Sequence, residues 1–477
     1  MKWSAVILAA GIGVRMKSAT PKPLHRVSGV PMLKYVCDAA RAAGLSDLTI
    51  VVAPSHADSA EFRAAAGEDT RFVVQTQQKG TADALLAARE SAADADAVLI
   101  LHGDTPLITP ETLRSLIDEH ERSDATVTLA TASPAPVDGL GRIVRNDGGE
   151  IRAIVEQQDA DHETIAINEV NAGWYGFDGN WIWDTLTALQ RSAGGEYYLT
   201  DAVESAVRAS LTVASVSVGD PNEILGVNTR SQLAVAEGLM RQRQRDHWMD
   251  QGVTLIDPAA TYIDASATLA PDVTIHPNSH ILGTSTIANG CEIGPNSIVI
   301  DTIIGEDSRF VSSHAEGATI GKRVSVGPFS RLRNGAVLHD DVYIGNYAEI
   351  KKSTIGSGTH IGHFSYVGDA DLGRRVNIGA GTVTANYDGK QKNRTVIGDD
   401  TLVGSGSMLV APVHIGNGAV TGAGAVVTHD VPAGATVIGV PARPVKAKPE
   451  DDLTPDQPGQ VEQETTARSE SGAATGD

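Results

Sequence analysis

The chain has 477 residues, 49 glycines, only 4% aromatic residues and a formal net charge of −21 at pH 7. That length outgrows one ordinary core and predicts two or three domains. The acidic balance with no basic stripe excludes a nucleic-acid partner, and no apolar run is long enough to span a bilayer.

Residues 5–10 form a short continuous apolar run, as expected for a central parallel strand rather than a signal peptide. It feeds Gly11-Ile12-Gly13-Val14-Arg15-Met16 and then Pro21-Lys22-Pro23. Gly11 and Gly13 let backbone N–H groups approach phosphate oxygens, Arg15 and Lys22 add positive charge, and the prolines stiffen the segment that presents Lys22. Met16 stands where a dinucleotide-binding loop would carry its third glycine, and the segment is no Walker A loop either. The alternation continues with a helix expected over 31–44, strands over 48–53 and 72–75, a helix over 82–92 and a strand over 97–101. Repeated βα units predict a doubly wound, Rossmann-like α/β sheet. Asp104 follows the last of these strands, where such sheets bind ligands. It could hold a divalent cation bridging phosphates or simply cap the next turn. The stretches around Gly141, Glu156, Asn171, Gly195–Asp201 and Asn228 read individually as polar loops. Cys37 and Cys291 lie far apart in unlike contexts, which predicts buried free thiols in a reducing cytoplasm.

The pattern L-A-A-G-x-G-x-R-M followed by P-K-P closely resembles the nucleotide loop of sugar-phosphate nucleotidylyltransferases. With the later segments in this order, residues 1 to about 230 resemble bacterial N-acetylglucosamine-1-phosphate uridylyltransferases. The resemblance implies that Leu8, Ala9, Ala10, Gly11, Arg15, Lys22, Gln75, Gly80 and Thr81 hold the nucleotide. It implies that Gly141, Glu156 and Asn171 hold the amino sugar, and that Asp104 with Asn228 binds Mg²⁺. His102 departs from the family, many members of which carry Tyr before the Gly-Asp pair. The chemistry needs no general base, because the attacking phosphate oxygen is already a nucleophile. It needs the reactants in line and the phosphate charge neutralised.

Residues 231–251 show a helical pattern with Ser231 as the expected N-cap and Gly252 just past the end. The run Arg241-Gln242-Arg243-Gln244-Arg245 reads as a solvated basic face. From near Ile256 to about Val440 an aliphatic residue followed by Gly or a small residue recurs, mostly every six positions. It is clearest at Ile344, Ile355, Ile361, Val367, Leu372 and Ile378. Six fits neither a helix nor a half-buried strand, and short fixed periods of this kind mean stacked parallel β coils. Each hexad makes one side of a prism. Its aliphatic residue points inward, and the glycine relieves crowding at the corner. Roughly ten coils are expected at three hexads each. Slips occur near Lys351 and Val367, and residues 384–396 form an insertion expected to loop out of the stack.

Arg333, Lys351, His363, Tyr366, Asn377, Asn386, Tyr387 and Lys392 stand off the inward positions. Acetyl transfer from a thioester to an amine needs a base and cations for a substrate phosphate, and histidine suits the base role near neutrality. The repeat resembles the hexapeptide acyltransferases, whose fold is a left-handed parallel β-helix working as a trimer. The polar set resembles, position by position, the glucosamine-1-phosphate N-acetyltransferases of the bifunctional type. That resemblance implies His363 as the base, with Arg333, Lys351, Tyr366 and Asn377 gripping the sugar phosphate. It implies that Ala380, Asn386, Tyr387, Ser405 and Ala423 line an acetyl-CoA groove. The chain lacks the Arg that some relatives place at Val440, and Arg443 is the candidate replacement.

The boundaries expected are 1–230 for the uridylyltransferase domain, 231–251 for a linker helix, 252–448 for the β-helix acetyltransferase domain and 449–477 for a disordered acidic tail. The resemblance implies a cytoplasmic homotrimer with two active sites. One acetylates glucosamine 1-phosphate with acetyl-CoA. The other joins N-acetylglucosamine 1-phosphate to UTP with Mg²⁺, making UDP-N-acetylglucosamine for cell-wall precursors. Two rival readings remain at this point. A nucleotidylyltransferase for another sugar phosphate would not need Arg333, Lys351 and His363. A non-catalytic sensor on the same two folds should have lost Lys22 or Asp104, and both are present.

Overall fold

The computed structural model describes residues 1–134, 137, 139–191 and 195–445. The acidic tail expected over 449–477 lies outside the described residues.

The first strand, Trp3–Leu8, has a core of residues with no exposure and forms the middle of the N-terminal sheet. On one side it pairs in parallel with Leu48–Val52, which pairs with Arg71–Val74; on the other it pairs with Ala97–His102. The chain therefore leaves the central strand in opposite directions, and the carboxyl ends of Trp3–Leu8 and Ala97–His102 open a crevice between them. Helices cover both faces. Met32–Ala42 and Pro110–Ser123 pack on one side; Thr81–Ala87, Gly179–Ala188 and Thr200–Arg208 pack on the other.

The doubly wound sheet is mixed rather than wholly parallel. Val170–Asp178 runs antiparallel to both Ala97–His102 and Val127–Ala132. A hairpin of Arg142–Arg145 and Ile151–Val155 is attached to its start. The segments around Gly141, Glu156 and Asn171, which read as loops, thus lie on or beside strands. Ile143, Ile151 and Val170 are buried, and so is Arg142 beside Ile143, so these strands carry no clean alternation that the sequence could display.

The helix Arg230–Asp250 follows. Its N-cap is Thr229 rather than Ser231. The Thr229 hydroxyl accepts from the Gln232 N–H at 3.2 Å while the Gln232 side chain accepts from the Thr229 N–H at 3.0 Å. That reciprocal pair satisfies two helix-start donors, which Ser231 could not do. The basic run on this helix is also not a solvated face. Arg243 bonds the Leu107 carbonyl and pairs with Asp220 at 3.0 Å, and Arg241 pairs with Glu237 and lies 4.5 Å over the Tyr262 ring. Arg241 thereby ties the helix to the first coils of the C-terminal body.

Among the described residues that body is a triangular parallel β-helix with faces of 12, 10 and 9 short strands, of which only the last, Arg443–Pro444, runs antiparallel. Successive coils pair in register, Ile275 with Ile293 and Ile293 with Phe310, a spacing of 17 or 18 residues. The residues singled out by the period line one continuous core: Ile344, Ile355 and Ile361 have no exposure, and Val367, Leu372 and Ile378 almost none. At the first coil Leu255, not Ile256, points inward; Ile256 is 55% exposed. The corner glycines are sites of close approach. A Cβ on Gly345 would lie 1.8 Å from the Gly362 carbonyl oxygen, and one on Gly379 would lie 2.4 Å from the Ser405 nitrogen. The coil holding residues 384–396 is longer than the others, so Arg374 meets Asp399 across 25 residues.

Truncation of an inward residue should leave a cavity the stack cannot close. Ile350→Ala is expected to destabilise the β-helix by about 2–5 kcal/mol, whereas Ile303→Ala, on the outer face, should change stability by less than about 0.5 kcal/mol. Denaturant unfolding followed by circular dichroism distinguishes the two.

Candidate functional site

Two clusters of polar side chains stand out, one on each body.

The first lies in the crevice of the N-terminal sheet. A cavity of about 280 Å³ is lined by Leu8, Ala9, Ala10, Gly11, Lys22, Gln75, Gly80, Thr81, His102 and Asp104, among others. The loop 11–25 is shaped by two tight requirements. Gly13 adopts φ +65°, and a Cβ there would sit 2.9 Å from the Lys22 Cβ, so only glycine lets the loop fold back against Lys22. Met16 is buried, which anchors the turn and leaves Arg15 exposed. Arg15 does not line the cavity. Gln75, buried, donates to the Gly80 carbonyl at 3.2 Å and to Asp83 at 2.8 Å, pinning the loop that precedes the Thr81–Ala87 helix.

Lys22 donates to both Asp104 and Asn228, the latter at 3.0 Å. Residues 82 and 206 positions away in sequence thus place two oxygen donors around one cationic atom. The Val227 N–H donates to the Asp104 carbonyl at 2.9 Å and fixes this approach. A carboxylate and an amide oxygen suit a hard divalent cation. Among the described residues no cluster of three or more His, Cys, Asp or Glu side chains converges as a metal site, so a cation here would complete its shell with phosphate and water.

Beside the cavity stands the second predicted group. Asn171 N–H donates to the Gly141 carbonyl at 2.9 Å, and its side-chain amide donates to the Tyr175 hydroxyl at 2.6 Å. Glu156 accepts from the Thr200 hydroxyl at 3.4 Å and faces Gly141, where a Cβ would lie 3.5 Å from its carboxylate. Burial raises the Glu156 carboxyl above its ordinary value, against the Thr200 hydrogen bond. His102 lies between the cavity and this group: a Cβ on Gly173 would come within 3.1 Å of its ring. Burial holds His102 below the ordinary imidazole value even though Asp104 pulls it up.

Glu196 and Tyr198, within the Gly195–Asp201 stretch whose resemblance is to the family's sugar and uridine contacts, also line the cavity, as does Gln78, which was not assigned a role from sequence. Gln78 donates to the Ala10 carbonyl, and the Tyr197 N–H donates to the Lys79 carbonyl at 2.8 Å, so the segment around Tyr198 closes over the 76–81 loop. The one local signal was the run of polar residues on both segments; their meeting is a long-range event.

The second cluster follows from reading the β-helix vertically. Asn346 pairs with His363 across adjacent coils, and continuing two residues past Ile378, Val403 and Thr421 gives Ala380, Ser405 and Ala423. These five residues therefore form one corner column. Backbone bonds run along it: Gly381 N–H to His363 O at 3.1 Å, Gly406 N–H to Ala380 O at 2.7 Å, Gly424 N–H to Ser405 O at 2.7 Å. His363 is exposed, with Asn346 as its side-chain partner. The next register position of the column is Gly439, one before Val440, which is 73% exposed, and the Arg443 side chain donates to the Ala442 carbonyl at 2.9 Å.

On the adjoining face Arg333 and Lys351 stand on successive coils, Arg333 paired with Glu349 at 2.9 Å and Lys351 4.0 Å from Asp369. Tyr366 lies over Gly368, where a Cβ would meet its hydroxyl at 2.3 Å. The insertion returns to this face. Asn386, nearly buried, donates to Asp369 and, at 3.4 Å, to the Tyr366 hydroxyl. Lys392 is held below the ordinary amine value chiefly by Lys351, so two cations share one small region. Asn377 sits on the face of His360, in register with it, and Tyr387 projects outward at 62% exposure. Sequence reading missed Asn346, Glu349, Gly368 and Asp369. The signal for Asn346 was present, because it occupies the place after Ile344 that His363 occupies after Ile361.

Next to the His363 column runs a ladder of exposed rings. Phe329 stacks on Tyr347 at 5.4 Å and Tyr347 on Phe364 at 5.2 Å. All three have positive φ, a region that bulky residues rarely adopt, whereas the same place in higher coils holds Gly381, Gly406 and Gly424.

Comparison with known proteins gives a matching picture. Residues 5–167 match the MobA-like NTP transferase domain, and residues 317–352 and 394–429 match the bacterial transferase hexapeptide (six repeats). The chain is 42% identical to the bifunctional protein GlmU of Syntrophomonas wolfei over 433 residues, covering 91% of this chain and 96% of that one. It is 44% identical to that of Heliobacterium modesticaldum, covering 92% and 95%, and 43% identical to that of Halalkalibacterium halodurans, covering 91% and 95%.

The raised carboxyl of Glu156 makes a prediction about stability. Ionised Glu156 opposes folding at neutral pH, so Glu156→Gln should raise the thermal midpoint by about 1–2 °C at pH 7. Below the ordinary carboxylate range the acid is protonated in both states and the difference should vanish. Thermal scans of both proteins at pH 7 and at about pH 3 check it.

Proposed function

The chain belongs to the bifunctional GlmU family, and from that premise we propose how its two sites divide the work. The protein is a bifunctional transferase of UDP-N-acetylglucosamine synthesis. One activity acetylates glucosamine 1-phosphate with acetyl-CoA, and the other transfers UMP from UTP to N-acetylglucosamine 1-phosphate with Mg²⁺ and releases pyrophosphate. We assign uridylyl transfer to residues 1–230, acetyl transfer to residues 252–448 and a connecting role to 231–251.

In the N-terminal site the 8–11 strand end and the 75–81 loop hold the nucleotide, with Gly141, Glu156 and Asn171 on the sugar. Asp104 and Asn228 would hold Mg²⁺, which when bound would supply neutralising charge to the phosphates. The observation that carries this reading is the convergence of Lys22, Asp104 and Asn228 at the crevice. Lys22 already stands between the two oxygen donors. The Lys22 ammonium can bind an arriving phosphate, which would free the Asp104 and Asn228 oxygens to hold Mg²⁺. The two reacting groups then need only be held in line.

In the C-terminal site Arg333, Lys351 and Lys392 supply the charge that a sugar phosphate requires, with Tyr366 and Asn377 beside them. The Ala380, Ser405 and Ala423 corner is lined by small side chains and lets the pantetheine chain lie against the backbone. Asn386 and Tyr387 reach it from the insertion. His363 takes the proton from the attacking ammonium, the amine lone pair forms the new C–N bond, and the thiolate of coenzyme A leaves.

The assembly is a homotrimer in the cytoplasm. The exposed Phe329–Tyr347–Phe364 ladder supports the first, since stacked apolar rings in a strained conformation need a covering surface. The buried free thiols Cys37 and Cys291 support the second. Sedimentation equilibrium should find three chains, and Tyr347→Glu should dissociate them.

Two variants separate the sites. His363→Ala should lower acetyl transfer by at least about 100-fold and leave uridylyl transfer unchanged. Asp104→Ala should do the reverse and abolish the response to Mg²⁺. A coupled assay with glucosamine 1-phosphate, acetyl-CoA, UTP and Mg²⁺ reads both, and equal loss of both activities in either variant would refute the division.

A further inference from the structure

We propose that Asn346 is the positioning residue of the acetyl-transfer base: its side-chain carbonyl holds the proton of His363 on Nδ1 and so keeps Nε2 free to receive the proton of the attacking amine. The inference rests on the assignment of His363 as that base.

The geometry is specific. Asn346 and His363 are ladder partners on adjacent coils, each two residues past an inward isoleucine, Ile344 and Ile361. The coil spacing therefore sets the distance between their Cα atoms, and it cannot drift without breaking the core. Below them Phe364 N–H donates to the Asn346 carbonyl at 3.1 Å, which clamps the turn that carries both. The Asn346 Oδ1 then meets His363 Nδ1 in a direct hydrogen bond. A neutral imidazole has one N–H, and the nitrogen without it is the only one that can act as a base. With the proton on Nδ1, Nε2 carries the lone pair.

The titratable groups on the elements packed against the ring are Tyr343, Tyr347 and Glu349 on the coil below and His360 and Tyr366 on its own coil. The coil above brings Asn377 and Ala380, neither of which titrates. Lys351, Asp369 and Lys392 belong to the adjoining face. Among the described residues no carboxylate hydrogen-bonds to the imidazole; Asn346 is its side-chain partner. A neutral partner has a chemical consequence. A carboxylate in this place would stabilise the imidazolium and make the ring a weaker acid after it has taken the proton. The amide orients the ring without that charge, so its partner does not oppose release of the proton as the thiolate departs. Throughout the step Nδ1 keeps its own proton, Nε2 gains one, and the amine nitrogen loses one.

The test compares Asn346→Ala, Asn346→Asp and His363→Ala in the full-length protein, with glucosamine 1-phosphate and acetyl-CoA as substrates. Asn346→Ala should lower kcat for acetyl transfer by about 10- to 100-fold, with KM for both substrates within about threefold and uridylyl transfer unchanged. Asn346→Asp keeps an acceptor for Nδ1–H, so it should recover most of kcat. It should also move the acidic limb of the pH profile upward by about one unit. A merely structural role would lower kcat in both variants and leave the pH profile in place. Wild-type kcat in Asn346→Ala, or an unmoved acidic limb in Asn346→Asp, would overturn the inference while His363→Ala still abolishes acetyl transfer. Full acetyl transfer in His363→Ala would instead remove the base assignment itself, and this inference with it.

Discussion

The acetyltransferase body depends on one constraint: the backbones of successive coils pass so close at the corners that no side chain fits between them. The hypothetical Cβ positions at Gly345, Gly379, Gly404 and Gly416 all fall within 2.6 Å of backbone in the next coil. Glycine is required there for space rather than for left-handed conformation, since none of these four has a positive φ. The close approach makes the inward aliphatic residues stack directly, Ile344 on Ile361 on Ile378, and a single coil could bury none of them alone. Once the stack is fixed, the outward positions become a lattice. Anything two residues past the inward residue of the same face falls in one column, and that is how Asn346, His363, Ala380, Ser405 and Ala423 meet.

The nucleotidylyl site is built differently. A sheet whose connections reverse at the central strand leaves a crevice, and the polar residues that fill it come from loops remote in sequence. Lys22, Asp104 and Asn228 have no shared lattice to align them. They are held by charge and by single backbone bonds, such as that from Val227 to Asp104. The N-terminal loops must accommodate nucleotide, sugar phosphate and cation. The Gly13 turn and the exposed Ile12 and Val14 show how little of residues 11–15 is packed down. Local stability is low where binding must reorganise the chain.

The insertion 384–396 joins the two principles. Its ends, Thr384–Ala385 and Thr395–Val396, stay in the ladder, so the excursion is shorter than expected; residues 386–394 leave it with Asn386 nearly buried against Asp369 and turn around Asp388, whose carboxylate accepts the Lys390 and Gln391 N–H groups at 2.8 Å. A rigid stack therefore carries the base together with Arg333, Lys351, Tyr366 and Asn377, and the loop adds Asn386 and Lys392 on the adjoining face. The helix Arg230–Asp250 couples the bodies through Arg241 and through Glu237, which accepts the Ser28 N–H at 2.7 Å.

By itself the sequence determined the repeat, its inward residues and the βα alternation, because each depends on a short period that neighbouring residues spell out. It also carried both motif sets, including the corner placement of His363. It did not reveal that Val170–Asp178 runs antiparallel within the N-terminal sheet, since strand direction is set by the partners a strand finds. It misread Arg241 and Arg243 as solvated and Ser231 as the helix cap, because those roles depend on Tyr262, Asp220 and Gln232 as partners. Only the tertiary structure brought Tyr198 over the 76–81 loop, set Arg15 apart from the cavity and placed Asn346 against His363. Periodic burial is a local property of a chain, whereas the meeting of side chains depends on how distant segments close upon one another.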